Sequence, residues 1–385
     1  MVFRNIYNFI NLFQLEEISP FVPRILDVFR PSDHSQTTCR FYRIHNTTKR
    51  WALTVTYIFW IPKRINSDME EVNEHTDSSK SSVEEAIVNT ETETKELIVL
   101  DPNAIEVDFN HGRIEKLENL ECLTQVEGLY LRWNLIKKIE NIGMLTSLKE
   151  LELYDNQITE IENLGSLVNL ELLDLSFNRI KTIKGLDTLV KLKKLFLVSN
   201  RIEKIQNLCN LKELQMLELG DNKIRVIENL DELINLESLF LGKNKITQLN
   251  NLLSLTKLKL LSIQSNRIVT IENLDRLVNL EELYLSHNGI QVIQNLEHNV
   301  KLQTLDLAGN RIKLIQGLST LSNLEEFWFN DNLVEDWSQL SGLSGAIKIS
   351  TVYLERNPIQ KDINYRRKIK MALPSLSQID AALCR

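Results

Sequence analysis

The 385-residue chain lacks the short motifs that mark common catalytic and cofactor sites. It contains no HExxH zinc motif, no GxSxG nucleophile motif, no phosphate loop ending in GKS or GKT, and no GxGxxG dinucleotide motif. Its six histidines include no pair at metal-ligand spacing. The sequence therefore predicts a protein that is not an enzyme and that holds neither a metal ion nor a cofactor.

Cysteine and long apolar runs are also scarce. The four cysteines show none of the paired spacings of disulfide scaffolds or zinc sites, which predicts a reducing compartment. Two of them, Cys122 and Cys209, fall where we expect small packing residues. The most apolar run outside the repeats is residues 51–62, whereas a membrane-spanning helix needs about 20 residues, so no membrane partner is expected.

Charge is unevenly distributed along the chain. The formal net charge of -7 offers no general attraction for nucleic acid, and we expect no nucleic-acid partner. Residues 1–66 carry +5, whereas residues 67–108 carry -11. We interpret residues 1–66 as an N-terminal extension: a targeting sequence, a short accessory segment or a misassigned start. Residues 67–104, acidic and rich in Ser and Thr, are predicted to be a disordered lead-in because they contain too little apolar surface to offset ordering entropy.

A strict period governs the rest of the chain. An asparagine recurs every 22 residues, ten times in phase, and around it the apolar frame LxxLxLxxNxIxxIxxLxxL repeats. The LxL part predicts a short strand with both leucines facing the core. An asparagine ladder would satisfy backbone groups buried in the turn that follows. Trp133 and Phe177, each directly before one of these asparagines, are expected to fill gaps at the strand ends. The ten asparagines are Asn134, Asn156, Asn178, Asn200, Asn222, Asn244, Asn266, Asn288, Asn310 and Asn332.

This frame predicts an α/β solenoid, a leucine-rich repeat horseshoe with parallel strands on the concave face. About ten residues remain for each return path, which suits short helical or 3₁₀ turns on the convex face. We assign residues 105–357 to the solenoid. Residues 358–385 are predicted to cap it, through a basic amphipathic helix stopped by Pro374 and through Leu376 and Ile379 covering the last repeat.

The residue between the two core leucines of each repeat should face away from the core. We call these twelve positions the central column; five are acidic and six aromatic. Exposed rings in a row are an association hazard, so the column looks suited to binding a protein with a basic surface. An alternative is that some rings only support the sheet. The column comprises Asp108, Tyr130, Glu152, Asp174, Phe196, Glu218, Phe240, Ser262, Tyr284, Asp306, Trp328 and Tyr353.

Several runs carry a family resemblance. The 22-residue repeats, LFLGKNKIT (residues 239–247), LYLSHNGI (residues 283–290), and the ending VYLERNPIQKD with YRRK and ALPS together resemble the leucine-rich repeat regulatory subunits of protein phosphatase-1. The similarity extends over about residues 96–385. It does not extend to residues 1–66.

The resemblance implies a nuclear and cytoplasmic protein that binds the phosphatase-1 catalytic subunit through the concave face and influences its activity, assembly or localisation. The alternative is a scaffold of a ribonucleoprotein or ciliary complex, because related short repeats occur in a spliceosomal protein and in axonemal dynein light chains. The resemblance also implies which residues contact the catalytic subunit. This expected contact set comprises Asp174, Phe196, Glu218, Phe240, Asp306, Glu326, Trp328 and Tyr353.

Overall fold

The structure is a computed structural model that describes residues 100–384. The expectations for residues 1–66, and for nearly all of the acidic lead-in, lie outside the described residues. Within the described part, one three-residue strand occurs per repeat, and two shorter strands follow at the C-terminal end. The strands are β1 (Glu106–Asp108), β2 (Gly128–Tyr130), β3 (Glu150–Glu152), β4 (Leu172–Asp174), β5 (Lys194–Phe196), β6 (Met216–Glu218), β7 (Ser238–Phe240), β8 (Leu260–Ser262), β9 (Glu282–Tyr284), β10 (Thr304–Asp306), β11 (Glu326–Trp328), β12 (Thr351–Tyr353), β13 (Gln378–Ile379) and β14 (Ala382–Leu383).

The strands form one sheet in sequence order, and each pairs only with its neighbours in the chain. The pairs from β1 to β13 are parallel, with equivalent residues of successive repeats opposite each other, as in Leu173 opposite Leu195. The register is kept between β11 and β12, where the spacing is 25 residues instead of 22, because Trp328 still lies opposite Tyr353. The predicted solenoid with parallel strands is confirmed.

The core lies behind this sheet and runs through all the repeats. In the repeat of β4 the seven frame residues have no exposed surface, and the same pattern recurs from repeat to repeat. No repeat could bury these side chains alone, so the stability of each depends on its neighbours. The seven are Leu170, Leu173, Leu175, Ile180, Ile183, Leu186 and Leu189.

The return paths are less regular than the sequence predicts. In the 22-residue repeats they contain isolated turns, such as Leu189 N–H to the Leu186 carbonyl at 3.0 Å and Leu192 N–H to the Leu189 carbonyl at 3.0 Å. These i to i+3 bonds are of the 3₁₀ type but do not extend into a helix. A continuous 3₁₀ helix, Trp337–Leu343, appears in the 25-residue repeat, where three extra residues give the chain room for it.

The frame asparagines form the expected ladder. The Nδ2 of Asn178 donates to the carbonyls of Leu175 at 3.1 Å and Ser176 at 3.1 Å, and to that of Leu153 in the previous repeat at 2.9 Å. Its Oδ1 accepts from the Ile158 N–H at 2.9 Å. An amide is required because this one position must both donate and accept.

A second asparagine ladder lies on the return path, and the sequence reasoning missed it. Asn207 has φ of 59° and donates to the Ile183 carbonyl of the previous repeat at 2.7 Å. The same bond recurs in six further repeats, while Gly185 and Gly317 hold the equivalent position with φ of 68° and 69°. The signal was in the sequence, as Asn or Gly at 22-residue spacing. The six are Asn141, Asn163, Asn229, Asn251, Asn273 and Asn295.

This left-handed position makes a testable prediction for Asn207. Glycine adopts φ near 59° freely, so Asn207→Gly should cost only the side-chain hydrogen bond, about 1 kcal/mol of the free energy of unfolding. Asn207→Val should cost more, about 3 kcal/mol, because a β-branched residue is strained there as well. Urea denaturation of the two variants measures the difference. Equal losses would show that the backbone conformation does not matter.

The C-terminal end is closed by its own short elements. After the 3₁₀ helix Pro358–Lys361, helix α1 (Tyr365–Ala372) ends just before Pro374 and buries Tyr365 and Ile369. Leu376 and Ile379 are each 1% exposed and complete the core. Strand β14 turns back antiparallel onto β13 and ends the parallel sheet. No helix within residues 100–384 has the length and apolar character to cross a membrane.

Candidate partner-binding site

The central column is a continuous row across the strand face of the sheet. Each member is the last residue of its strand. The ten inner members lie opposite their counterparts in both neighbouring strands, as in Phe196 between Asp174 and Glu218. The leucines on either side, such as Leu173 and Leu175, are fully buried in the core. Because successive side chains of a strand face opposite sides, the column faces away from that core.

Burial within the column is uneven. Tyr284 is only 7% exposed, yet it does not belong to the apolar core cluster. Side chains on the strand face, and not the core, cover Tyr284. Its hydroxyl lies 2.5 Å from Oε2 of Glu282, which is two residues earlier and therefore on the same face. The rings of Trp328 and Tyr353 are 5.5 Å apart, and both are half-buried. Neighbouring rings and acids therefore shield one another.

The eight residues of the expected contact set divide into two groups by accessibility. Asp174 is 2% exposed and Asp306 has no exposed surface. The other six are half-buried and present part of each side chain on the strand face. These six are Phe196, Glu218, Phe240, Glu326, Trp328 and Tyr353.

The column carboxylates accept hydrogen bonds from backbone N–H groups just after their strands. Oδ1 of Asp174 accepts from the Ser176 N–H at 2.9 Å, and Oδ1 of Asp306 accepts from the Ala308 N–H at 2.9 Å. Glu218 makes the equivalent bond to the Gly220 N–H at 2.8 Å. Each acid thus holds the backbone where its strand turns, a role that the periodicity did not reveal.

Glu218 is the most electrostatically unusual member of the column. It lies between Phe196 and Phe240 in the sheet. Burial raises the pKa of its carboxyl to about 8, an effect that the Gly220 N–H opposes and the charge of Asp174 reinforces. Near neutral pH the group is thus mostly protonated.

The raised pKa predicts how pH affects the stability of a Glu218→Gln variant. The folded chain holds the Glu218 proton more tightly than the unfolded chain, so the native free energy of unfolding falls as pH rises from about 4.5 to about 8. The neutral glutamine lacks this penalty. Because Glu218 is partly exposed, the expected effect is reduced. We expect the free energy of unfolding of Glu218→Gln to be about 2 kcal/mol above that of the native chain at pH 8, and the two values to differ little near pH 4.5.

Urea denaturation at several pH values measures this difference. The exposed Glu213, in the same repeat, supplies the control. Glu213→Gln should leave the pH dependence unchanged. If Glu218→Gln and the native chain lose stability in parallel between pH 5 and pH 8, the carboxyl of Glu218 is not held in its neutral form.

A cation that the sequence reasoning missed sits at the N-terminal end of the column. Arg132, 8% exposed, forms an ion pair with Glu152. Burial raises the pKa of Glu152 to about 7, although Arg132 acts in the opposite direction. Arg132 lies two residues after Tyr130 and so on the same face, which was the available signal. Its charge offsets the acidity of this end of the column.

Two sequence expectations outside the column need correction. Cys122 and Cys209 are exposed and are not packing residues, because the return path turns both outward. Trp133 and Phe177, expected to fill gaps at the strand ends, are 39% and 43% exposed. They belong to a surface row of rings in which Trp133 stacks on His111 at 4.4 Å and Phe177 lies 4.8 Å from Tyr154.

Comparison with known proteins supports the repeat assignment. The family model described as Leucine Rich repeats (2 copies) matches residues 146–188, 168–210, 278–320 and 300–345. A segment of 53 residues is 66% identical to Protein phosphatase 1 regulatory subunit 7 of Xenopus tropicalis and 62% identical to that of Homo sapiens. A segment of 64 residues is 48% identical to Protein phosphatase 1 regulatory subunit SDS22 of Schizosaccharomyces pombe.

These sequence matches are short. Each covers 14% of this chain, and they span 15% of the frog and human relatives and 19% of the yeast relative. The regulatory subunits and the repeat scaffold both point to a non-catalytic protein.

Solved structures agree on the fold. An internalin (inlF) from Listeria monocytogenes superposes with a TM-score of 0.60 at 24% identity, over 73% of this chain and 87% of the internalin. An LRR protein from Leptospira interrogans gives a TM-score of 0.56 at 22% identity, over 67% of this chain and 73% of that protein. With the in-register parallel strands and the asparagine ladder, these likenesses identify the described part of the chain as a leucine-rich repeat solenoid.

Proposed function

We propose that this protein is a regulatory subunit that binds the catalytic subunit of protein phosphatase-1 through the concave strand face. The sequence similarity to phosphatase-1 regulatory subunits, at 62% to 66% identity over 53 residues, supports the choice of partner. The solenoid fold is shared with other proteins, such as the internalin, and does not by itself identify a partner.

The observation that carries the proposal is the row of half-buried rings and acids on the strand face. Phe240, Trp328 and Tyr353 offer large apolar surface that ordinary solubility would not favour. Glu218 lies opposite Phe240, and Glu326 lies two residues before Trp328 on the same strand, so both acids would favour a basic surface on the partner. With strands about 4.8 Å apart, the twelve column positions extend over roughly 50 Å, enough for a standard interface of about 800 Å² per partner.

Glu218 supplies a physical reason to expect function at this face. A carboxyl held neutral near pH 7 costs stability whenever it ionises, and a glutamine of the same shape would avoid that cost. A partner cation placed against Glu218 would lower its pKa and release the proton. The proposal therefore includes proton release on binding at neutral pH.

The test is direct binding of the full chain to purified recombinant catalytic subunit, followed by a phosphatase assay with and without the solenoid. Binding measured by calorimetry in two buffers of different ionisation enthalpy would also report the proton released. An absence of binding at micromolar concentrations would refute the proposal. Exclusion of nucleic acid and membrane partners, and residence in the nucleus and cytoplasm, belong to the same proposal.

A further inference from the structure

A second charged surface lies at the edge of the sheet where the strands end, outside the central column. In five consecutive repeats the residue directly after the frame asparagine is Arg or Lys, and four of the five side chains are exposed. We call this set the cation ladder. It consists of Arg179, Arg201, Lys223, Lys245 and Arg267.

The backbone holds the ladder in register. The N–H of each ladder residue donates at 2.8 Å to the carbonyl of an isoleucine in the previous repeat, as in Arg201 to Ile180 and Lys223 to Ile202. The five attachment points therefore follow the repeat spacing, about 4.8 Å from one to the next. Five cationic side chains are thus attached side by side along about 19 Å.

Within the described part of the chain, no ladder side chain forms an ion pair or a side-chain hydrogen bond. The opposite edge of the same sheet behaves differently. There Lys149, Lys193 and Lys259 pair with a glutamate one repeat earlier at 2.7, 2.8 and 2.8 Å. The fold can neutralise a cation from the neighbouring repeat, and at this edge it does so beyond the ladder, where Arg356 pairs with Asp331 at 2.6 Å. The five ladder cations form no such pair.

The surroundings of the ladder add to its positive charge. The residues two positions before the ladder residues include Lys243 and Asp221, and the residues two positions after them include Lys181, Glu203 and Arg225. Asp221 already accepts from the Ser199 hydroxyl at 2.7 Å. Cations thus outnumber carboxylates across this edge, although the whole chain is acidic.

We propose that the cation ladder is a second docking surface, which binds an extended, carboxylate-rich segment of a partner protein. An extended segment rises about 3.3 Å per residue, so about six residues would follow the ladder from Arg179 to Arg267. Its alternate carboxylates, about 6.6 Å apart, can each reach between two ladder cations. Long, flexible Arg and Lys side chains accommodate the difference between the two spacings.

Charge complementarity favours an acidic protein segment over nucleic acid. Among the residues two positions from a ladder cation, only Phe177, beside Arg179 at the N-terminal end of the ladder, is aromatic, whereas surfaces that bind single-stranded nucleic acid combine cations with a series of stacking rings. The proposal does not depend on the identity of the partner at the concave face.

The experiment measures fluorescence anisotropy of a labelled heptaglutamate peptide titrated with the full chain at low ionic strength. We compare the native chain with a ladder variant, Arg201→Gln, Lys223→Gln and Lys245→Gln combined. We expect the ladder variant to weaken binding at least tenfold, and added salt to weaken native binding. A heptaglutamine peptide should not bind.

A matched variant separates the ladder from the overall charge. Lys191, Lys257 and Lys301 lie on the opposite edge, where each donates to an asparagine one repeat earlier. Changing these three to Gln alters the net charge equally and should leave peptide affinity within twofold of native. The proposal is overturned if the ladder variant binds like the native chain, if both triple variants lose affinity equally, or if oligothymidylate binds the ladder more tightly than heptaglutamate. Unchanged circular dichroism and Tm would show that both variants are folded.

Discussion

Combined Trp328→Ala and Phe240→Ala is expected to weaken binding of the phosphatase-1 catalytic subunit at least a hundredfold. Both rings are half-buried on the strand face, and each provides the large, rigid apolar surface typical of interface hot spots. Truncating such a residue costs about 2 kcal/mol or more, so two distant ones should together remove about 4 kcal/mol of binding free energy. Calorimetry or surface plasmon resonance with purified proteins measures the loss.

The chain offers a matched control for this double variant. Trp133 and Phe177 are the same residue types and more exposed, but each lies in a turn three residues after its strand ends and not in the central column. Trp133→Ala combined with Phe177→Ala should leave the affinity close to native. Equal losses in the two double variants would contradict docking through the central column. Tm values of both variants, close to native, would show that neither result comes from unfolding.

Removing one rung of the frame ladder should cause the largest loss of stability. Asn222→Ala removes donors to the carbonyls of Leu197, Leu219 and Gly220, and the acceptor for the Ile202 N–H. These groups are buried in the turn, where water cannot replace the amide. Each buried group left unsatisfied costs about 1–3 kcal/mol, so we expect a loss of about 4 kcal/mol, allowing for some shared partners. Urea denaturation measures it.

Asn235→Ala is the control for that substitution. Asn235 is on the surface and makes a single bond to backbone, to the Lys212 carbonyl at 2.9 Å. Water can take its place there, so we expect a loss under about 1 kcal/mol. Similar losses at Asn222 and Asn235 would mean that the ladder contributes no more than an ordinary surface hydrogen bond.

The fold could be predicted from the sequence because its causes are periodic and local. The LxL leucines and the asparagine three residues after the second leucine specify the strand, the core side and the turn in each repeat. The second ladder was equally visible, since Asn207 and its equivalents recur every 22 residues. It was missed because asparagine on a return path looks like ordinary surface polarity until its positive φ is known.

The expected contact residues were only partly predictable. Their place on one face follows from strand alternation, but Asp306 has no exposed surface while Trp328 is half-buried. The difference depends on the side chains of three adjacent strands packing together. Alternation alone assigns a side chain to a face and says nothing of its coverage.

By itself the sequence determined the repeat length, the direction of each side chain relative to the core, and the position of the turns. Only the tertiary structure decided which carboxylates on the strand face are shielded, that Arg132 neutralises Glu152, and that five cations stand together without acidic partners. The reason is physical. Backbone geometry is set within one repeat, whereas accessibility and charge are set by residues 22 positions apart that stacking brings within a few ångströms.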